Sequence, residues 1–325
     1  HILSDLLRPA KMPPENRSAV REWHGKDDIM KKKVISMLLA AAMATTVFAG
    51  CGSGDSQDSS AGTSGESSSE ESATEESGEE TASAEPDTTY GTSQEGKFVV
   101  GFDQEFPPMG FVGEDGEYTG FDLELAQAVC DKMGWEFVPE PIAWDAKDAM
   151  LESGAIDCIW NGFTMNGRED DYTWSEPYLD NSQVFVVRAD SGIQSAADLA
   201  GKTVDVQTDS SAQAALEDNQ ELSSTFGNLQ VIADYNTGFM ELESGVVDAV
   251  AMDIVVASYQ IESRDADFVI LDDVISTEEY GVGFAKGNEA VRDQVQTALD
   301  ELAADGTVAE ISTKWFGEDI TTIGK

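Results

Sequence analysis

Histidine is almost missing from this chain. Of its 325 residues only His1 and His24 are histidine, and both lie near the start. Everything downstream therefore lacks a histidine general base, a Ser–His–Asp triad and a histidine metal ligand. Cysteine is nearly as scarce: Cys51, Cys130 and Cys158, with no CxxC pair. For Cys130 and Cys158, a disulfide and two buried free thiols are both open readings. No metal site and no cofactor is expected. Positive charge is short as well, with 19 Lys and Arg against 63 Asp and Glu, a formal net charge of −44. That balance argues against nucleic acid and against docking on anionic lipid. It speaks only weakly for neutral or cationic small partners, because a solvated acidic surface is the commoner meaning of excess charge. Long apolar runs are absent but for one, at 34–49, which is short and rich in small residues for a bilayer span.

That run is the informative exception. Met30-Lys31-Lys32-Lys33 supplies a positive start, and Phe48-Ala49-Gly50-Cys51 closes it. The segment resembles a bacterial lipoprotein signal with its lipobox, departing at Phe48, where such boxes usually carry Leu. The resemblance implies a signal peptide at 30–50, cleavage before Cys51 and a lipid on Cys51. It implies a protein outside the cytoplasm, anchored to a bacterial cell membrane, Gram-positive in type. An uncut membrane anchor is the competing reading. Residues 1–29 begin with His1 and precede the signal, so they read as upstream or artefactual sequence and are left out of fold reasoning. Residues 51–97 are dominated by Ser, Glu, Gly, Thr and Ala. They carry too little apolar surface to offset the entropy of ordering, which predicts an acidic, self-repelling tether.

The remaining stretch, 98–325, holds 46 acidic and 10 basic side chains, a net of −36. Its length suits one large domain or two lobes. It also echoes itself. Lys97-Phe98-Val99-Val100-Gly101 is answered by Lys202-Thr203-Val204-Asp205-Val206, and LESGAIDCIW (151–160) by LESGVVDAVA (242–251). Each second motif is a helix stopped at a glycine, Gly154 or Gly245, followed by a short apolar strand. Two matches in the same order predict duplicated α/β lobes. A hairpin-like turn is expected at Glu114-Asp115-Gly116, and a helix capped by Asp122 running to Gly134. Leu123, Ala126, Cys130 and Met133 form its core stripe, and Val291, Val295, Leu299 and Leu302 form another, closed by Gly306. Alternating strands and helices imply mostly parallel sheets, whose ligands sit at the carboxyl ends of the strands.

Strand ends therefore select the candidates. Asp103, Glu105 and Phe106 follow strand 98–102. Asn161, Gly162 and Thr164 follow 156–160, with Arg168 close behind. Thr208, Asp209, Ser210 and Ser211 lead from strand 203–207 into a helix, and Asp253 ends strand 246–251. The set complements a zwitterion. Arg168 offers a planar fork to a carboxylate. Backbone N–H groups around Gly162 and near Ser211 add donors, and Asp253 can take an ammonium. Trp160 is expected in the core, and Asp122 and Asp145 in capping roles.

With those motifs in view, the chain resembles the extracellular solute-binding proteins of family 3, which serve ABC importers of polar amino acids. GFDQEFPPMGF (101–111), YTGFDLELAQAV (118–129), ESGAIDCIWNGFT (152–164) with Arg168, VDVQTDSSA (204–212), VDAVAMD (247–253) and KWFG (314–317) carry the resemblance. It implies an α/β fold of the periplasmic-binding-protein-like type II. Two α/β lobes, 98–187 with 281–325 and 188–280, would be joined by a two-strand hinge, with crossings near 183–188 and 280–286. The implied function is capture of a free polar or cationic L-amino acid by a monomer and delivery to a permease. No enzymatic step is implied. By matched position, Arg168 and Thr164 hold the α-carboxylate, with Asn161, Gly162 and Ser211 beside them. Asp253 holds the α-ammonium, and Asp103, Phe106 and Trp144 face the ligand side chain. Two departures stand out: the Thr164–Arg168 loop is one residue shorter than usual, and Asp209 stands where many relatives have Gly. Competing readings are a sensory lipoprotein and a dehydratase-like enzyme on the same fold, which would need a carboxylate such as Asp103, Glu105 or Asp209 for its acid–base work.

Overall fold

The computed structural model describes Thr92, residues 94–264 and residues 266–325. Cys51 and the signal at 30–50 lie outside the described residues, as does most of the tether. From Lys97 the chain forms β1 (Lys97–Phe102), β2 (Glu105–Phe106), β3 (Gly110–Val112), β4 (Tyr118–Thr119), α1 (Phe121–Met133) and β5 (Glu136–Pro141). A 3-10 turn (Trp144–Ala146) then leads to α2 (Lys147–Glu152), β6 (Cys158–Ile159) and β7 (Thr173–Trp174). The second stretch runs β8 (Leu179–Arg188), β9 (Thr203–Gln207), α3 (Ser211–Asp218), α4 (Gln220–Ser223), β10 (Asn228–Ile232), α5 (Tyr235–Ser244), β11 (Ala249–Asp253), α6 (Ile254–Arg264) and β12 (Phe268–Tyr280). The chain then returns through β13 (Gly283–Phe284), α7 (Glu289–Asp305) and α8 (Thr307–Phe316).

These strands build two five-stranded sheets, ordered β5-β1-β6-β13-β7 and β10-β9-β11-β8-β12. In each, the opening strand lies parallel to the strand of its echo: β1 beside β6, and β9 beside β11. The repeat extends to hydrogen bonds. Asp157, in the first echo, accepts the Val99 N–H at 2.7 Å; Asp248, in the second, accepts the Thr203 N–H at 3.0 Å. In both lobes one aspartate thus ties the start of the β6 or β11 segment to the strand beside it. The expected hairpin is present as β3 and β4, joined through Gly116 in the left-handed region (φ 84°).

Burial follows the predicted stripes. Leu123, Ala126 and Cys130 of α1 are buried, and Met133 packs against the same core. Val291, Val295, Leu299 and Leu302 are buried on α7, whose end at Gly306 is left-handed. Each such Leu or Val contributes about 1.5–3 kcal/mol by leaving water. Trp160 is fully buried, as expected. Cys130 and Cys158 are both buried free thiols, which settles the pair. Burial pushes the Cys130 thiol up to about 12 and the Cys158 thiol well above its usual range.

The structure departs from the sequence reading at the crossings and at one cap. β8 pairs with β11 and β12, so residues 179–187, expected in the first lobe, run in the second sheet. The chain changes sheets between β7 and β8, at 175–178, upstream of the expected 183–188. It returns between Tyr280 and Gly283. The two connectors are stitched together: Ser175 N–H donates to Val282 O at 3.0 Å, and Val282 N–H to Ser175 Oγ at 2.8 Å. Asp122 does not cap α1. Gly120 holds the cap position, and Asp122 sits in the first turn with its side chain turned inward and fully buried. Asp145 likewise starts no helix; Ala143 precedes its 3-10 turn, without a side-chain cap.

Candidate functional site

A narrow cavity of about 20 Å³ lies between the two sheets' strand ends. Asp103, Phe106, Trp144, Asn161, Gly162, Thr164, Arg168, Ser211 and Asp253 all line it, joined by Gln207 and Ser210. The nine residues chosen from strand-end logic and resemblance are thus brought together in one place. A wider recess of about 380 Å³ adjoins it, sharing Asp103 and Trp144 and adding Glu105, Asp145 and Asp234.

The first lobe supplies the positive charge. Arg168 reaches the cavity despite its shortened loop, with its guanidinium 5.3 Å from the Phe163 ring. Nη1 donates to Thr164 O and Nη2 to Asp209 O, each at 3.2 Å. Two of its five N–H groups are so occupied, and the fork keeps donors for a carboxylate. Gly162 adopts φ 56°, and a Cβ there would crowd Phe106 and Tyr280 at 3.0–3.1 Å, so the position favours glycine. Its N–H is not free, as the sequence reading expected. The buried Asp122 accepts it at 2.6 Å, and accepts the Tyr178 hydroxyl at 2.9 Å. Gly162 therefore shapes the wall rather than donating into it. Asn161 Oδ1 accepts the Asp103 N–H at 2.9 Å, which fixes the end of β1 against that of β6.

The second lobe supplies the negative charge. Asp253, 4% exposed, ends β11; its Oδ1 accepts from Asn181 and Gln183 at 2.8 Å and from the Tyr280 hydroxyl at 2.6 Å. Behind it stands Glu278, 6% exposed and not anticipated from sequence. Glu278 Oε1 accepts from Thr164 Oγ1 at 2.9 Å and from the same Asn181 and Gln183 at 2.7 Å. Burial first, and the Glu278 charge second, pushes the Asp253 carboxyl up to about 7. Asp103, 6% exposed, is pushed up to about 6 by burial, with the Glu105 N–H and Gln207 pulling the other way. Two carboxylates held together by amides, with no Lys or Arg bonded to them among the described residues, favour a positively charged occupant.

The lobes touch at the cavity. Gln207 Nε2 donates to Asp103 Oδ2 at 2.7 Å, Thr164 Oγ1 lies 3.2 Å from Ser211 Oγ, and Asn236 Nδ2 donates to Glu105. Ser210 is the cap of α3, accepting Gln213 N–H at 3.1 Å. Asp209, which stands where many relatives have Gly, pairs with Lys147 of the first lobe. Lys147, Gln183, Gln207 and Glu278 escaped the sequence reading. A signal existed for Gln183, an amide immediately before the apolar run Val184–Val187. It lies opposite Asp253 in the β8–β11 ladder.

Comparison with known proteins agrees with this geometry. Residues 98–318 match the family model for bacterial extracellular solute-binding proteins, family 3. The L-cystine-binding protein TcyJ of Escherichia coli K12 is 32% identical over 231 residues, covering 70% of this chain and 85% of that protein. The arginine-binding extracellular protein ArtP of Bacillus subtilis is 30% identical over 242 residues, covering 70% and 92%. The crystal structure of an ABC uptake transporter substrate-binding protein from Streptococcus pneumoniae with bound histidine superposes with a TM-score of 0.69 at 36% identity, covering 71% of this chain and 96% of that one. Two α/β lobes, an amphoteric cavity between their strand ends and a match across the described body of the chain converge: this protein belongs to the bacterial extracellular solute-binding proteins, family 3.

Proposed function

We propose that this protein captures a free polar or cationic L-amino acid outside the cytoplasm and delivers it to the permease of an ABC importer. One observation carries the reading: the cavity between the lobes has Arg168 on the first lobe and Asp253 on the second, with Glu278 held behind Asp253 by shared amides. Arg168 takes the α-carboxylate, and Asp253 takes the α-ammonium. Thr164 and Ser211 complete the polar wall, while Phe106 and Trp144 flank the side chain. The lobes close by bending at the connectors 175–178 and 281–282.

The side chain points past Asp103 into the outer recess. That recess is lined by four carboxylates, Asp103, Glu105, Asp145 and Asp234, and by no Lys or Arg among the described residues. Trp144 adds cation–π attraction for a positive head. This supports arginine, lysine, glutamine or cystine, and opposes glutamate and aspartate. Names of relatives that bind cystine and arginine point the same way.

Calorimetry of the wild type and Asp103→Asn with arginine, glutamine and glutamate tests the assignment. A ligand at 100 times its Kd adds about 2.7 kcal/mol of stability, visible as a rise in Tm. We expect Asp103→Asn to weaken arginine more than glutamine. Tight glutamate binding by the wild type would overturn the side-chain assignment, and a lack of binding by any amino acid would overturn the function. The proposal extends to a lipid on Cys51 that holds the monomer at the membrane.

A further inference from the structure

Asp209 is held from the first lobe at three points. Its main-chain oxygen accepts Trp144 Nε1–H and Arg168 Nη2–H, both at 3.2 Å, and its carboxylate meets Lys147 Nζ. Trp144 and Arg168 line the cavity, and Lys147 Nζ lies 5.2 Å from the Trp144 ring centroid. The Lys147 side chain is 1% exposed, so its ammonium is withdrawn from water and Asp209 is its carboxylate partner. From its own side, Asp209 is fixed by an N–H bond to Gln213 Oε1 at 2.7 Å and stands at φ 55°. That left-handed conformation suits glycine, and Asp and Asn tolerate it better than other side chains. Aspartate here therefore keeps the backbone a glycine would give, and adds one carboxylate aimed across the cleft.

We propose that Asp209 is a positioning residue for ligand capture. With Lys147 it makes a lobe-to-lobe ion pair that forms when the cleft shuts, and through its carbonyl it fixes Arg168 and Trp144 against the occupant. Its effect falls on how long the ligand stays, because opening must break the pair before the ligand can leave. The inference rests on the amino-acid-binding reading above.

Three substitutions separate the parts. Asp209→Gly keeps the left-handed backbone and its carbonyl and removes the carboxylate. Asp209→Asn keeps the shape and removes the charge. Lys147→Met removes the cation. Association and dissociation rates are measured by stopped flow with arginine, lysine, glutamine, histidine and L-cystine as probes, alongside the Tm without ligand. Both Asp209 variants are expected to dissociate about tenfold faster or more, with association little changed. Lys147→Met combined with Asp209→Asn should recover part of that loss, because no buried charge is then left unpaired. Ligand-free Tm should move little. Unchanged dissociation in Asp209→Gly and Asp209→Asn, with the wild type binding normally, overturns this inference alone. So does a loss confined to ligand-free Tm. A wild type that binds none of the probes overturns the binding reading and this inference with it.

Discussion

Asp253 and Glu278 accept hydrogen bonds from the same two amide groups, Asn181 Nδ2 and Gln183 Nε2, all between 2.7 and 2.8 Å. The amides hold two carboxylates side by side in a dry site, and the sign of the pH response follows. The Asp253 carboxyl is raised to about 7 by burial and then by Glu278. A carboxyl raised on folding has its stabilising effect in full below the ordinary carboxylate pKa and loses it as pH climbs through about 7. The ligand-free protein should therefore lose stability between about pH 4 and about pH 7, and Asp253→Asn should flatten that slope. A bound ammonium favours the ionised carboxyl, so affinity should run the other way and rise with pH to about 7. Calorimetry at pH 5, 6, 7 and 8 reads this directly, and a flat affinity profile would refute it.

Arg168→Ala should weaken every amino-acid ligand alike, by about 2–5 kcal/mol, because a ligand carboxylate is left unpaired in a closed cavity. Circular dichroism should remain that of the wild type. Selective loss of one ligand with the others kept would show that Arg168 contacts the side chain instead.

Asp122 tests the support behind the site. It is fully buried, is pushed up to about 7 by burial, and accepts both Gly162 N–H and the Tyr178 hydroxyl. Asp122→Ala leaves two buried donors without a partner, at about 1–3 kcal/mol each. The expected result is a Tm lower by several degrees together with weaker ligand binding, since Gly162 shifts. A fall in Tm with ligand affinity preserved would assign Asp122 to the fold alone.

Cys51→Ala addresses the membrane. Fractionation of cells should find the substituted protein released from the membrane or uncleaved, and radiolabelled palmitate should no longer be incorporated. Undiminished labelling would eliminate Cys51 as the lipid site.

Much of the site was legible because it obeys local rules. Strand ends in an α/β sheet deliver Asp103, Asn161, Ser211 and Asp253 whatever the rest of the chain does, and the glycines at 154 and 245 announce where the helices before β6 and β11 stop. The stripes on α1 and α7 were equally open, since helix periodicity acts within a few turns. The missed features are non-local. Glu278 lies in a strand whose register with β8 shifts near Val274 and Ser276, so its inward aim cannot be read from alternation. Lys147 reads as an ordinary solvated helix residue until Asp209 arrives from the other lobe. Asp122 looked like a cap because capping is the common use of Asp before an apolar run. Gly120 took that role, which freed Asp122 to serve Gly162.

The bond pair between Ser175 and Val282 fixes the mechanics of the hinge. Two independent tethers would let the lobes twist, slide and yaw. Here the tethers are cross-linked where they leave the first sheet, by Ser175 N–H to Val282 O and Val282 N–H to Ser175 Oγ. Torsion or shear of one connector against the other strains both bonds, whereas bending the two together strains neither. We therefore expect one soft direction for lobe closure, in which the strand ends on the two lobes return to the same registration at every cycle.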